Sequence, residues 1–198
     1  FISGALQGYL VDTASYEAGV TNIGDLKDPD VAARFDADRD GKADLAGCPP
    51  GWGCERVIEH QLTEYGLLDT VTHNQGAFNI LADDTVARFE SGEPILYYTY
   101  TPYWVSGVLV PGENVQWIEV PYSSLPDGRT DDTMYEGKNL GMAVNEIRIL
   151  ASNEFLEANP AAAKPFELAV LDIHDVSAEN SSMQQGEGAI EAMAGHAD

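Results

Sequence analysis

Seven residues, Cys48-Pro49-Pro50-Gly51-Trp52-Gly53-Cys54, constrain this chain more than any other stretch. Two prolines and two glycines in so short a span exclude helix and strand alike. The helical pattern beginning at Glu55-Arg56-Val57-Ile58 must therefore start from a tight irregular loop. The chain has no other cysteine, and no second Cys/His pair sits nearby. A Cys48–Cys54 disulfide is thus a better reading than a metal site, and it implies an oxidising compartment. Closing so short a loop stabilises by roughly 2 kcal/mol on the chain-entropy model. Such a ring presents Trp52 at the surface beside the free N–H groups of a helix N-terminus. An indole face attracts cations, and a helix N-terminus attracts carboxylates and phosphates. The pattern suits a small molecule carrying both charges, with Trp52 facing the cation and the amides of Gly53 and Cys54 the anion. The alternative is a structural turn whose tryptophan folds into the core.

Charge narrows the partners. Ten Lys+Arg against 33 Asp+Glu leave a formal net charge of −23. Nucleic acid and anionic membrane both need basic patches, so neither is an expected partner. Hydrophobic residues at 44% are enough for a substantial core in 198 residues. No stretch approaches the roughly 20 apolar residues that span a bilayer. The opening Phe1-Ile2-Ser3-Gly4-Ala5 lacks a starting Met and a basic n-region. Together with an ending that has no structural signal, this reads as a piece of a longer protein.

Periodicity predicts an α/β domain of alternating helices and short strands. Strands are expected at 5–12, 95–100, 115–120 and 147–150. Helices are expected within 23–35 and over 55–68, 77–90, 153–159 and 161–170, with 125–139 a polar loop. The strongest strand ends in Tyr97-Tyr98-Thr99-Tyr100-Thr101-Pro102-Tyr103-Trp104. Ligands favour the carboxyl ends of strands in open α/β sheets, so rings at 98 and 100, extending to 104, are candidates for a wall. The alternative for most of them is the core.

The run Asp36-Ala37-Asp38-Arg39-Asp40-Gly41-Lys42-Ala43-Asp44 matches the first part of a calcium loop. Asp36, Asp38, Asp40 and Asp44 would supply side-chain oxygens and Lys42 its carbonyl. Gly47 stands where the bidentate glutamate of such a loop belongs, so the alternative is a solvated acidic loop. A structural calcium is the one metal this pattern admits, and no cofactor is required. His60, His73, His174 and His196 are scattered, and no nucleophile–base pair supports an enzyme.

The motifs Leu26-Lys27-Asp28-Pro29, Asp40-Gly41-Lys42-Ala43-Asp44-Leu45, Pro50-Gly51-Trp52-Gly53-Cys54-Glu55, Thr70-Val71-Thr72-His73-Asn74-Gln75-Gly76, Thr101-Pro102-Tyr103-Trp104-Val105 and Asn159-Pro160-Ala161-Ala162-Ala163-Lys164 occur in one order along the chain. In this the chain resembles the glycine betaine/proline betaine-binding proteins of osmoprotectant ABC importers. The resemblance implies a type II periplasmic-binding-protein-like lobe, with a mixed central sheet flanked by helices. It implies a crossover remnant of the first lobe at 1–14, a second ligand-binding lobe at 15–180, and a truncated return segment at 181–198. It also implies a betaine-type ligand, a membrane permease as partner, a monomer, and a periplasmic or other extracytoplasmic location. Trp52 then matches a ring of the family's aromatic box, Gly53 and Cys54 the carboxylate-binding amides, and Cys48 with Cys54 the family's disulfide. Tyr100 stands where the family has a second box tryptophan, a departure that weakens the π-face. The remaining tryptophan and a carboxylate-binding histidine belong to the absent lobe. Choline, carnitine or a sulfonium analogue are alternative ligands. The rival from another class is a secreted, calcium-stabilised interaction module.

Overall fold

A computed structural model describes residues 1–186 and Gly188. The chain forms strands β1 (Ile2–Ala5), β2 (Gln7–Asp12), β3 (Ala43–Ala46), β4 (Val71–Asn74), β5 (Leu96–Tyr100), β6 (Val115–Trp117), β7 (Met134–Tyr135), β8 (Lys138–Asn139) and β9 (Asn145–Ile147). Its helices are α1 (Thr13–Glu17), α2 (Pro29–Ala32), α3 (Gly53–Glu64), α4 (Phe78–Glu90), α5 (Asn153–Ala158), α6 (Pro160–Leu168) and α7 (Ile173–Gln184). The expected α/β class holds, and the last residues of the expected return segment lie outside the described residues.

The central sheet has the order β4-β3-β5-β2-β6. β3 runs parallel to β4 and β5, whereas β2 runs antiparallel to β5 and β6, so the sheet is mixed. Side chains alternate across it as strand geometry requires. Tyr9 and Val11 pair with Tyr98 and Leu96 on one face, and Leu10 pairs with Tyr97 on the other. The first face carries the larger core, with Ile23, Leu26 and Phe35 from the 3-10 segments and Val57, Ile58 and Leu62 from α3. The second packs Leu10 and Tyr97 against Ala82 of α4 and against Trp104, Val105 and Leu109.

Several expected boundaries change. The strand expected at 5–12 is broken at Leu6 into β1, which pairs with β9, and β2, which enters the central sheet. The strand at 147–150 lies instead at 145–147, and the one at 115–120 stops at Trp117. The expected loop 125–139 holds the β7–β8 hairpin. The helix expected at 55–68 begins at Gly53 and ends before the turn at Gly66, whose φ of +65° suits glycine. β3, β4, α1 and α7 had no counterpart in the expected elements.

Topology decides where a site can form. β3, β4 and β5 run the same way, so their carboxyl ends emerge at one edge of the sheet. The chain leaves β3 into the cysteine ring and α3, leaves β4 into α4, and leaves β5 at Tyr100. Three segments far apart in sequence meet there.

Candidate functional site

The ring forms as expected: Cys48 and Cys54 are joined by a disulfide, with a Cα–Cα distance of 6.0 Å. Within it the Trp52 amide donates to the Pro49 carbonyl at 3.2 Å, and the Gly51 amide donates to a Glu55 carboxylate oxygen at 3.2 Å. Gly51 has a φ of +86°, a turn only glycine makes without strain. Trp52 caps α3 with its backbone, and no side chain caps that helix. The amides of its first turn, including Gly53 and Cys54, therefore keep the affinity for negative charge that every uncapped helix start has. A Cβ built on Gly53 would meet nothing within 4 Å, so the approach to this backbone is open. Trp52 is 45% exposed and does not fold into the core.

The aromatic strand splits by parity. Tyr97 and Trp104 are buried on the far face, so Trp104 does not extend the wall as expected. Tyr98 and Tyr100 face the ring side. Tyr98 donates its hydroxyl to Gln7 Oε1 at 3.0 Å, and Tyr100 ends the strand half-buried. Burial first, and then the neighbouring Tyr103, pushes the Tyr100 phenol above its ordinary range, so the ring stays neutral. The residue that joins the aromatics is Phe78, the first of α4. It stacks on Tyr100 at 5.3 Å and 18°, and lies 5.9 Å from Trp52, 6.0 Å from Tyr98 and 5.1 Å from Tyr103. Sequence reasoning missed it, because its only local signal is a place in an amphipathic pattern.

Trp52, Gly53, Cys54, Tyr98 and Tyr100 line one cavity of about 440 Å³. Leu6, Val57, Leu125 and Met142 complete its apolar walls, and Arg129 stands at it with a 2.8 Å bond to Asp131. That hydrogen bond holds the Asp131 carboxyl below its usual range. Arg129 falls in the stretch expected to be a plain polar loop and gave no signal. Behind the walls, buried Gln61 accepts from the Tyr9 hydroxyl at 2.6 Å and donates to the Gly141 and Ser124 carbonyls at 2.6 and 3.1 Å. This fixes α3 against the loop that carries Met142. Among the described residues, the lining offers aromatic faces, apolar side chains, helix-start amides and the Arg129 guanidinium, a set with the chemistry to hold a soft cation joined to an anion.

The acidic loop lies elsewhere. Asp36, Asp38 and Asp40 bring one oxygen each within 4.8 Å of one another. Their carboxylates already accept amides of their own loop: Gly41 donates to Asp36, Asp40 to Asp36 and Asp38, and Lys42 to Asp40. Asp44 does not join them. Its carboxylate turns inward, accepting from the Ala37 and Asp38 amides and from Asn74 Nδ2. The Lys42 ammonium reaches the Leu68 carbonyl at 2.7 Å. None of the five lines the cavity.

A family model described as the substrate binding domain of ABC-type glycine betaine transport systems matches residues 2–197. Over 190 residues the chain is 50% identical to the glycine betaine-binding periplasmic protein OusX of Dickeya dadantii, covering 94% of the chain and 57% of that protein. Over 200 residues it is 47% identical to the glycine betaine/proline betaine-binding periplasmic protein of Escherichia coli, covering 100% of the chain and 61% of that protein. The chain thus spans about three fifths of the length of these relatives. Among solved structures, a lactococcal OpuAC complexed with glycine betaine matches with a TM-score of 0.59 at 17% identity, over 98% of this chain and 63% of that one. The glycine betaine, L-proline-binding protein ProX of Borrelia burgdorferi matches with a TM-score of 0.60 at 16% identity, over 98% and 62%. These structural matches establish the fold: a type II periplasmic-binding-protein-like architecture.

Proposed function

The chain belongs to the family of substrate-binding domains of ABC-type glycine betaine transport systems, and from that premise we propose that it is one half of a betaine receptor. In this reading residues 15–180 belong to the second lobe, and the segment 1–14 crosses into it, its strand β2 lying inside the central sheet. Trp52 and Tyr100 take the quaternary ammonium, and the Gly53 and Cys54 amides take the carboxylate. The protein works outside the cytoplasm, as the periplasmic names of its relatives suggest, and delivers its ligand to the membrane permease of an importer.

The observation that carries this reading is that all four residues line one cavity. A trimethylammonium group has no N–H to donate, so rings must recognise it by shape and quadrupole. Each such contact is worth about 0.5–2 kcal/mol, and useful affinity needs several. Two rings on this chain leave room for more on a facing lobe, and a ligand held between lobes makes closure depend on its presence. The test is a calorimetric titration of the full-length protein with glycine betaine, proline betaine, carnitine and choline. Tight binding of a carboxylate-bearing betaine, with choline weaker, is expected. Absence of heat with all four would overturn the proposal, and a preference for choline would remove the carboxylate's role.

A further inference from the structure

His73 has no role in the sequence reading and does not line the cavity, yet it sits behind the ring that does. Its side chain is 3% exposed. Nε2 lies 3.0 Å from the Cys48 amide, and Nδ1 lies 2.7 Å from Glu59 Oε1. The amide can only donate, so Nε2 is the bare nitrogen and Nδ1 carries the hydrogen that Glu59 accepts. One neutral imidazole thereby ties β4, which carries it, to α3 through Glu59 and to the ring through Cys48. Gln75 donates to the same Glu59 oxygen at 3.1 Å and steadies the carboxylate. Gly47 completes the fit. A Cβ there would fall 2.0 Å from the imidazole Cδ2 and 2.1 Å from Nε2, so the ring lies directly against the backbone.

We propose that His73 is a positioning residue for the anion cradle. A disulfide sets the distance between Cys48 and Cys54 but not the tilt of the loop between them. By fixing the Cys48 amide relative to α3, His73 sets that tilt, and with it the aim of Trp52 and of the Gly53 and Cys54 amides. The inference rests on the reading of this cavity as a betaine site.

The test compares wild-type full-length protein with His73→Leu, His73→Gln and Gly47→Ala. Leucine fills the space and makes neither bond. Glutamine restores an acceptor for the Cys48 amide, and alanine at 47 displaces an intact imidazole. Two readouts are taken: hydrogen exchange at the Cys48 amide without ligand, and the calorimetric Kd for glycine betaine. His73→Leu and Gly47→Ala are expected to speed exchange and to raise Kd, each by about ten-fold. His73→Gln should recover most of both losses, which a general packing role would not produce. Unchanged Cys48 exchange in His73→Leu, wild-type affinity in that variant, or failure of glutamine to restore either quantity overturns the proposal. If wild-type protein itself ignores glycine betaine, the functional reading fails, and the exchange comparison alone decides whether His73 holds the ring.

Discussion

Trp52 and Tyr100 reach the same cavity by different routes, and the difference shows in what supports each ring. Trp52 extends from a covalent loop and is nearly half exposed. Tyr100 is clamped between Phe78 and Tyr103, at 5.3 and 5.1 Å. Tyrosine offers a weaker π-face than tryptophan, so Tyr100→Trp should bind glycine betaine as tightly as wild type or several-fold tighter. Tyr100→Leu keeps apolar bulk but loses the quadrupole and should raise Kd by about 3- to 30-fold. Calorimetry on the full-length variants checks both, and equal Kd values for leucine and tyrosine would remove Tyr100 from the site. Trp52, Gly53 and Cys54 were legible because Pro, Gly and Cys dictate a loop whatever surrounds them. Phe78 was not, because its role depends on where the start of α4 lands beside the end of β5.

At the level of elements, periodicity found α3 and α4, which bury apolar faces, and also α5 and α6, which bury no residue, but it missed β3, β4 and α7. α3 and α4 emerged from their patterns because Val57, Ile58 and Leu62, or Phe78 and Ala82, line one side. β3 and β4 are four residues each and carry polar residues such as Asp44 and His73, so no alternation stands out. α7 buries only Ser177 and Ser181, small residues one turn apart, against the 3-10 turn Trp104–Gly107. That contact depends on Gly107: a Cβ there would fall 2.8 Å from the Ser177 carbonyl oxygen and 2.9 Å from the Ser181 Cβ. Gly107→Val should lever α7 off the domain and destabilise the protein by about 1–3 kcal/mol. Urea unfolding measures the loss, and hydrogen exchange should localise it to α7. Unchanged stability with α7 still protected would mean that the helix is held by something else.

For the molecule as a whole, the two faces of the sheet bury several phenols. Burial, as the largest cause, pushes Tyr9, Tyr97 and Tyr98 well above the ordinary value of 10.0. Unfolding returns these groups to that value, so above it the unfolded chain releases protons that the folded one keeps. The stability they confer is therefore complete below pH about 10 and falls as pH rises beyond it. The urea midpoint should drop between about pH 8 and about pH 11, with the buried tyrosines ionising only as the chain unfolds. Phenolate absorbance that rises fully while far-UV circular dichroism stays native would contradict this.

The sequence alone determined what short-range stereochemistry and composition control. It set the disulfide ring, the helix that starts from it and the α/β class. Those features depend on neighbours a few residues apart or on sums over the chain. Only the tertiary structure decided which rings of the aromatic strand face the cavity, that Phe78 backs them, that Asp44 turns away from the acidic cluster, and that His73 stands behind the ring. Each of these is a meeting of segments tens of residues apart, set by strand register and by the parallel run of β3, β4 and β5 to a common edge. No local pattern encodes that edge, because it exists only once the strands have paired.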